Sequence, residues 1–479
     1  MGTSVRLLPK ERWVLILTSV SGFMIALDTT VVTTVLGTIR RELHASVEAL
    51  EWTVNAYVLS FGVLLLTGAA LGDRLGRRRM FIVGLATFTA ASAACALAPG
   101  IGALIAARAV QGAGAALVLP LAMTQLSAAF PAQRRGRALG IFAGVAGLAT
   151  FSGPFVGGAV AQGLAWGWVF WLNVPIGVAA ITLTVANLAE TYGPRTRLDA
   201  GGVVLATAGV FGLIWGLVRG NSVSWGSAEV LGSLLAGALL LAGFVVWEQH
   251  VAAPMLPMRF FRLRAFSTAN AANFLLMGSM YGALFFLAQY LQTALGYGPL
   301  AAGLRLMPWT GLLMVSAPVA GTLADRYGER RFLSGGLLLQ AVGLAWLALI
   351  ARPGLPYPQM FPPLIVSGLG ISMALPAAQR SAVGAVDVQE IGQASGAFNT
   401  LRQVGGVFGI ATVVAIFAAV GGYGSPRQFT DGFRPALAAA AALALAGALI
   451  AAAMPGRGGA RAMPVRAAGP PVGSGVSSR

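Results

Sequence analysis

Long apolar stretches recur from one end of this chain to the other, and they constrain its fold more than any other feature. Of the 479 residues, 57% are hydrophobic and 10% are charged, and the mean hydropathy is +0.78. A soluble core cannot bury so much apolar surface, so the excess is expected to face lipid. Each stretch can cross a hydrocarbon layer of about 30 Å as a helix. The sequence therefore predicts an all-α membrane protein.

The apolar stretches between charged clusters predict about 14 transmembrane helices. The first seven are expected near residues 13–36, 52–71, 80–98, 101–124, 138–161, 168–188 and 200–218. The other seven are expected near residues 230–247, 268–291, 300–323, 332–350, 360–378, 397–420 and 435–454. The single cysteine, Cys95, lies inside an apolar stretch, where a buried small side chain is its expected role.

The net charge of +17 could indicate a nucleic-acid partner, so the positions of the basic residues matter. With both termini placed in the cytoplasm, 23 of the 32 Lys and Arg residues fall in the tails and the inner loops. Six fall in the outer loops, and this asymmetry is typical of the cytoplasmic side of membrane proteins. The positive charge therefore indicates topology, and no nucleic-acid partner is expected.

An internal repeat divides the chain. LGDRLGRRR at residues 71–79 is echoed by LADRYGERR at residues 323–331, and both copies fall in inner loops. The repeat predicts two pseudo-symmetric six-helix bundles with two inserted central helices. The expected segments are a cytoplasmic tail (1–12), an N-terminal bundle (13–190), the inserted helices with their flanking loops (191–264), a C-terminal bundle (265–454) and a disordered tail (455–479) attracted to anionic lipid.

Five further sequence motifs narrow the class of membrane protein. They are LDTTVV at 27–32, LIAARAVQGAGAA at 104–116, GPFVGG at 153–158, WGWVFWLNVPIG at 166–177 and GQASGAFNTLRQVGGVFG at 392–409. Together with the repeated loop they resemble the major facilitator superfamily, specifically its 14-helix drug:proton antiporter branch. The resemblance spans nearly the whole chain. Departures from the family pattern are Ala69, Thr33, Gly37 and Gly167, which stand where Gly, Asn, Pro and Arg are usual.

The resemblance implies roles for two sets of residues. A gating loop on the inner face would comprise Asp73, Arg74, Gly76 and Arg77, with Asp325, Arg326 and Gly328 in the second copy. The antiporter motif would comprise Gly153, Pro154, Gly157 and Gly158, where proline bends the helix and glycine permits close packing. Ordinary positive-inside charge and a purely structural kink are the alternatives.

Asp28 is the acidic residue placed in the middle of a predicted helix, where a carboxylate costs a few kcal/mol unless it is paired or functional. At about 1.5 Å of rise per residue, Asp28 and Arg108 lie at the same membrane depth. We therefore expect Asp28, with Arg108 as its partner, to couple transport to protons. A structural ion pair that fixes helix packing is the alternative.

Uncharged polar residues and a few other side chains within the apolar helices are candidates for a substrate cavity, although they could equally hold helices together. They are Thr33, Asn55, Tyr57, Gln111, Gln125, Asn270, Asn273, Gln289, Trp309, Asn399 and Arg402.

The leading functional hypothesis is a secondary transporter that exports hydrophobic, often cationic or antibiotic-like molecules in exchange for protons. No phosphate-binding loop and no metal or hydrolase constellation is apparent, so neither an enzyme nor a metal or cofactor is expected. The alternatives are a dedicated exporter of one endogenous metabolite and, in another class, a membrane receptor or scaffold. The chain has one lysine, Lys10, and 31 arginines, a bias that favours a bacterial protein of the cytoplasmic membrane. A monomer is expected.

Overall fold

The structure is a computed structural model that describes residues 9–193, 199–220, 223–252, 254–312, 328–386 and 390–455. Its first helices are α1 (Pro9–Glu42), α2 (Val47–Leu75), α3 (Arg77–Ala96), α4 (Ile101–Ala129), α5 (Ala132–Gly163), α6 (Trp168–Trp171) and α7 (Asn173–Asn187). The remaining helices are α8 (Ala200–Arg219), α9 (Ala228–His250), α10 (Arg264–Thr293), α11 (described over 299–312), α12 (Glu329–Ile350), α13 (Tyr357–Val383), α14 (Ile391–Val420) and α15 (Pro426–Ala452).

The predicted fold class is confirmed. Among the described residues, 12 helical segments are long and apolar enough to span a membrane, with α6 and α7 together forming one of them. The bent helix α2, whose parts Val47–Leu65 and Thr67–Leu75 meet at 51°, adds a further span. The predicted helix at 300–323 begins in α11, and its residues 313–323 lie outside the described residues. The chain is therefore a helical membrane protein of about 14 spans.

Several helices extend beyond their apolar stretches. The first was expected over 13–36, whereas α1 runs from Pro9 to Glu42, and the last was expected to begin at Pro435, whereas α15 begins at Pro426. The sequence reasoning was wrong about these ends because a helix ends where its backbone is capped, not where its last apolar residue lies. Ser425, for example, accepts a hydrogen bond from the backbone nitrogen of Gln428. Pro435 lies inside α15.

The helices pack in two groups. Helices α1 to α7 pack against one another and form the N-terminal group, while α10 and α12 to α15 pack against one another within the C-terminal group. The expected boundaries at residues 190 and 264 stay predictions. We call the membrane face at which α1 begins and α15 ends the terminal face, and the opposite one the far face.

Helices α8 and α9 form the inserted pair. They cross closely because Gly212 and Gly237 meet backbone to backbone. On the far face, Arg219 at the end of α8 binds Glu229 of α9 at 2.9 Å and Glu48 of α2 at 3.5 Å. Helix α8 contacts both α2 and α14, so the inserted pair lies beside the boundary between the two groups.

The two groups are joined near the far face, in a contact that we call the far-side seam. Gln292 of α10 donates to the backbone oxygen of Thr34 in α1 at 2.9 Å. The guanidinium carbon of Arg40 lies 3.9 Å from the ring centroid of Tyr423, in the turn between α14 and α15. Burial raises the pKa of Tyr423 although Arg40 opposes the shift, so the phenol stays protonated and donates to Gln289. The two helix groups are therefore closed against each other on the far side.

Candidate functional site

Asp28 lies in the middle of α1, and its side chain is fully buried. Its Oδ2 accepts a hydrogen bond of 2.5 Å from Nη1 of Arg108 on α4, and the two groups form an ion pair. Its Oδ1 accepts from the side-chain amides of Gln111 on α4 and Asn173 on α7, each at 2.9 Å. Three donors on two other helices thus surround one carboxylate.

Arg108 is 1% exposed and is held from several sides. Besides Asp28, it donates from Nε to the backbone oxygen of Thr53 on α2 at 3.1 Å and from Nη1 to Oε1 of Gln111 at 2.7 Å. Its guanidinium carbon lies 4.2 Å from the ring centroid of Tyr57. A buried cation is costly unless it is paired and hydrogen-bonded, and these contacts meet that requirement.

Gln111 extends the network to α3. Its Nε2 donates to Oγ of Ser92 at 2.8 Å, and the thiol of Cys95 lies 3.7 Å from its Oε1. The polar network therefore links α1, α2, α3, α4 and α7. A change in the charge of Asp28 would alter hydrogen bonds that connect most helices of the N-terminal group.

Two members of this network were not singled out by the sequence reasoning. Asn173 belongs to the string WGWVFWLNVPIG, where a polar residue among apolar neighbours was the available signal. Ser92 offered no signal, because serine is frequent in membrane helices and its partner is 19 residues away on another helix.

The first copy of the predicted gating loop forms a tight connection between α2 and α3 on the terminal face. Asp73 and Arg77 form an ion pair at 2.8 Å, and Arg74 is exposed. Gly76 between them has φ +108°, a conformation that side chains other than glycine rarely adopt. The backbone nitrogen of Arg77 donates to the backbone oxygen of Thr191, beyond the end of α7.

Glu190 holds this loop from the other side, a contact that sequence reasoning missed. Its carboxylate accepts hydrogen bonds from the backbone nitrogens of Arg78 at 2.9 Å and Arg79 at 3.1 Å, in the first turn of α3. A carboxylate is favourable there because the first turn of a helix has free N–H groups and a positive dipole end. A side chain at Gly76 would press against this carboxylate, with the carboxyl carbon only 2.7 Å from the added Cβ.

The second copy of the loop shares its backbone geometry where it is described. Gly328 has φ +96° and precedes α12 as Gly76 precedes α3. Asp325 and Arg326 lie outside the described residues.

The predicted antiporter motif lies in α5, with Pro154 inside the helix. Gly153 and Gly157 pack directly on α1, since an added Cβ at either position would collide with Thr30 or Thr34. Gly158 faces the other group, where an added Cβ would lie 2.8 Å from Cα of Leu300. The backbone oxygen of Pro154 lies against Gly303 of α11. The motif thus places α5 between α1 and α11.

The predicted cavity residues of the N-terminal group do not line a common space. Tyr57 and Gln111 belong to the Asp28 network. Gln125 donates to the backbone oxygen of Arg77 at 3.3 Å and so supports the gating loop. Thr33 donates to a carbonyl of its own helix, and Asn55 donates to Glu51. These contacts favour helix packing as their role in this closed state.

The predicted cavity residues of the C-terminal group are also dispersed. Asn273 donates to a backbone carbonyl of α14, and Trp309 donates to a serine hydroxyl of α13. Gln289 binds the turn after α14 through Tyr423. Asn270 and Asn399 donate to carbonyls of their own helices, and Arg402 is half-buried.

The sequence reasoning identified Asp28, in the middle of a helix, and did not consider Glu51, which lies in the second turn of α2 and is fully buried. The second helix was expected to begin at residue 52, one position after Glu51, whereas α2 begins at Val47. The capping contact from Ser46 to the backbone nitrogen of Ala49 explains the earlier start.

Comparison with known proteins identifies the family. The family model described as Major Facilitator Superfamily matches residues 18–410 and, in a second overlapping match, residues 269–475. The chain belongs to the major facilitator superfamily. This confirms the resemblance that the motifs indicated and makes the chain a multi-pass transporter of bacterial type.

Curated relatives in the superfamily include exporters. The chain is 34% identical over 424 residues to a tetracenomycin C resistance and export protein of Streptomyces glaucescens, covering 88% of this chain and 78% of the relative. It is 36% identical over 450 residues to the cephamycin export protein CmcT of Amycolatopsis lactamdurans, covering 92% of each. It is 33% identical to the multidrug resistance protein Stp of Mycobacterium tuberculosis, covering 85% of this chain and 75% of the relative.

Solved structures of other transporters share the fold. A peptide transporter POT in complex with sulfate matches with a TM-score of 0.68 and 18% identity, covering 92% of this chain and 94% of that one. A bacterial homolog of the human lysosomal transporter Spinster, in an inward-facing and unoccupied conformation, matches with a TM-score of 0.67 and 16% identity, covering 94% and 97%.

Proposed function

We propose that this superfamily member is a secondary active exporter that exchanges inward-moving protons for outward-moving hydrophobic, drug-like or antibiotic-like molecules. The observation that carries the proposal is the buried Asp28, surrounded by Arg108, Gln111 and Asn173. A titratable group placed within a membrane bundle and linked to several helices can convert proton binding into a change of packing.

Protonation of Asp28 would change the balance of charge in the N-terminal group. The neutral acid no longer attracts Arg108, whose remaining contacts are the backbone oxygen of Thr53, Gln111 and the face of Tyr57. Ionisation would restore the pair and draw α1 and α4 together. A cationic substrate could compete for the same carboxylate. The two states thus differ in how α1 is held against α4 and α7.

The substrate class rests on the relatives. The names of three of them refer to single compounds (tetracenomycin C, cephamycin and actinorhodin), which favours a dedicated exporter as the second candidate. Stp is named a multidrug resistance protein, which favours broad export. Both candidates use the same proposed proton chemistry, and they differ in the number of compounds expelled.

The distribution of basic residues indicates how the protein is oriented in the membrane. Basic residues concentrate on the terminal face, which favours a cytoplasmic position for that face and for both termini. We place the protein in the bacterial cytoplasmic membrane as a monomer whose far face meets the exterior. The closed far-side seam then corresponds to a state in which the exterior is shut off.

Two measurements test the exporter. A growth-inhibition panel in an efflux-deficient host, with and without the protein, identifies compounds that it expels and counts them. Everted vesicles then measure accumulation of one such compound under an imposed pH gradient. Asp28→Asn should reduce gradient-driven accumulation at least about tenfold, the effect of losing about 1.4 kcal/mol of coupling. Asp431→Asn, which alters an exposed carboxylate of α15, is the matched control and should transport normally.

The outcomes separate the hypotheses. Protection against several unrelated compounds supports multidrug export, and protection against one supports a dedicated exporter. Accumulation by Asp28→Asn equal to that of the intact protein would contradict the role of Asp28. The absence of protection and of accumulation for every compound would favour a receptor or scaffold.

A further inference from the structure

Glu51 is a buried carboxyl group that the Asp28 network does not use. It lies in the second turn of α2, near the far face, and is fully buried. Its Oε1 accepts a hydrogen bond of 3.2 Å from the side-chain amide of Asn55. Among the described residues, neither its Oε2 nor Oδ1 of Asn55 has a hydrogen-bond partner. Each side chain of this pair thus has one buried oxygen without a donor.

The helical repeat shows which way Glu51 points. At about 100° per residue, positions 51, 55, 58 and 62 of α2 lie on one face. The opposite face carries Thr53 and Tyr57, which contact Arg108 on α4. An added Cβ at Gly62 would lie 2.6 Å from Cβ of Gln403, so the face that Glu51 shares with Gly62 looks towards α14.

Helix α14 presents apolar side chains at this level. It runs antiparallel to α2, so the region beside Glu51 lies about 11 residues beyond Gln403, near Val414. Val407, Ile410, Ala411 and Val414 are all buried, and each is at most 2% exposed. Glu51 therefore lies in the boundary between the two helix groups and faces a surface that cannot solvate a carboxylate.

The charged groups around α2 are engaged elsewhere. On α2 itself, Glu48 pairs with Arg219 of α8. On α4, Arg108 pairs with Asp28. On α1, the guanidinium of Arg40 lies over Tyr423, and Arg41 donates to the hydroxyl of Thr38. Glu42 and His44, at the end of α1 and just beyond it, are exposed.

The other neighbours of α2 supply no cation either. On α3, the arginines of the gating loop lie at the terminal face, at the opposite end of α2. Residues 403–420 of α14 include no titratable side chain. Among the described residues, Glu51 thus forms no ion pair, and Glu48 is the nearest like charge.

We propose that Glu51 is a second proton-binding site, which holds its proton while the far-side seam is closed and exchanges it with the exterior when the two groups separate there. The proposal deepens the proton-coupled export proposed above and rests on it for its place in the transport cycle. An ionised carboxylate without a cation is costly in such surroundings, whereas the neutral acid carries no charge and gains an O–H donor, which the unpartnered Oδ1 of Asn55 lacks.

The direction of the effect follows from this geometry. When α2 and α14 separate on the far side, water reaches Glu51 and the ionised form becomes acceptable. Loss of the proton therefore favours the open far side, and binding of a proton favours the closed one. For one proton, the ratio of open to closed protein rises by up to about tenfold per pH unit over the range in which Glu51 ionises.

A thiol reporter in the seam measures this opening. Val414→Cys places the reporter on α14 opposite Glu51, in a Cys95→Ser background that removes the native thiol. A membrane-impermeant maleimide is added to right-side-out vesicles across a series of external pH values. The labelling rate is divided by that of the same reporter with Glu51→Gln at each pH, because this ratio cancels the intrinsic pH dependence of the thiol. Glu48→Gln, one turn away, is the control.

The proposal predicts that the labelling ratio rises with external pH, approaching about tenfold per pH unit within the window. Glu51→Asp, which stays titratable, should keep the rise, as should Glu48→Gln. Two results would overturn the proposal. One is a labelling rate that is the same with Glu51→Gln as with Glu51 at every pH. The other is a loss of the pH-dependent rise in Glu48→Gln alone.

An Asp28→Asn variant with the reporter separates this proposal from the general one. Persistence of the pH-dependent labelling in that variant supports Glu51 as an independent site, whatever the transport assay shows. Loss of the pH dependence in Asp28→Asn, with Glu51 intact, would assign the proton to Asp28 and contradict the proposal for Glu51.

Discussion

Asn173 on α7 and Asp28 on α1 are joined by a hydrogen bond of 2.9 Å from the side-chain amide to Oδ1. The bond spans 145 positions of the sequence and ties the last helix of the N-terminal group to the candidate coupling acid. A hydrogen bond to a charged group contributes about 1.5–3 kcal/mol, enough to hold α7 against α1 at this point.

Asn173→Ala is expected to weaken gradient-driven transport. Removal of this donor detaches α7 from Asp28 and leaves its Oδ1 with Gln111 alone, so uptake should fall by about tenfold, the effect of losing about 1.4 kcal/mol. The measurement is substrate uptake into everted vesicles under an imposed pH gradient. Asn187→Ala on the same helix is the control, because Asn187 is half-buried and bonds to its own helix. Uptake by Asn173→Ala equal to that of the intact protein would show that this bond does not contribute to transport.

The pairing of Asp28 with Arg108 predicts strongly non-additive effects on stability. Asp28→Asn or Arg108→Gln alone leaves one buried charge without its counter-ion, which typically costs about 3–5 kcal/mol. The double variant removes both charges and should recover most of that loss, while remaining inactive in proton-driven transport. Thermal unfolding of the purified protein measures the stability. Additive losses in the double variant would mean that the two charges do not stabilise each other.

The contact between Gly76 and Glu190 predicts that the gating loop tolerates no side chain at its turn. Gly76→Ala would combine an unfavourable φ of +108° with pressure on the Glu190 carboxylate. We expect a loss of about 1–3 kcal/mol in stability together with slower transport. Gly102→Ala is the control, because no described atom lies within 4 Å of its added Cβ. Equal behaviour of the two variants would contradict the interpretation of the loop.

The crossing of α5 with α11 predicts a similar sensitivity at Gly158. An added methyl group would lie 2.8 Å from Cα of Leu300 and 2.9 Å from the carbonyl carbon of Pro299, which forces the two helix groups apart. Gly158→Ala should lower the transport rate and cost about 1–3 kcal/mol of stability. Gly163→Ala on the same helix meets no described atom within 4 Å and should leave both unchanged. Transport assays and thermal unfolding of both variants check this.

Much of the fold was predictable because lipid imposes a simple rule. Every spanning segment must be apolar and must satisfy its backbone internally, so apolar length and loop charge identify the helices. The family motifs then identified the superfamily. The common depth of Asp28 and Arg108 followed from helix rise alone, and the structure places the two side chains in contact.

The rest of the candidate site depends on contacts between distant segments. Glu190 reaches the start of α3 across 112 positions, and no local pattern indicates which helix end it will meet. Glu51 was missed because a capping serine starts α2 before its apolar stretch begins. The orientation of each helix about its own axis is fixed by its neighbours, so a single sequence could not show which polar residues converge.

Substrate-induced proton movement shows directly whether Asp28 couples export to protons. Proteoliposomes containing an internal pH indicator are given a compound from the growth-inhibition panel, and the proton flux is recorded for the intact protein, Asp28→Asn and Asp431→Asn. Proton-coupled export through Asp28 predicts a flux that requires both the compound and Asp28 and that Asp431→Asn retains. Compound movement without proton movement, or an undiminished flux in Asp28→Asn, would contradict it.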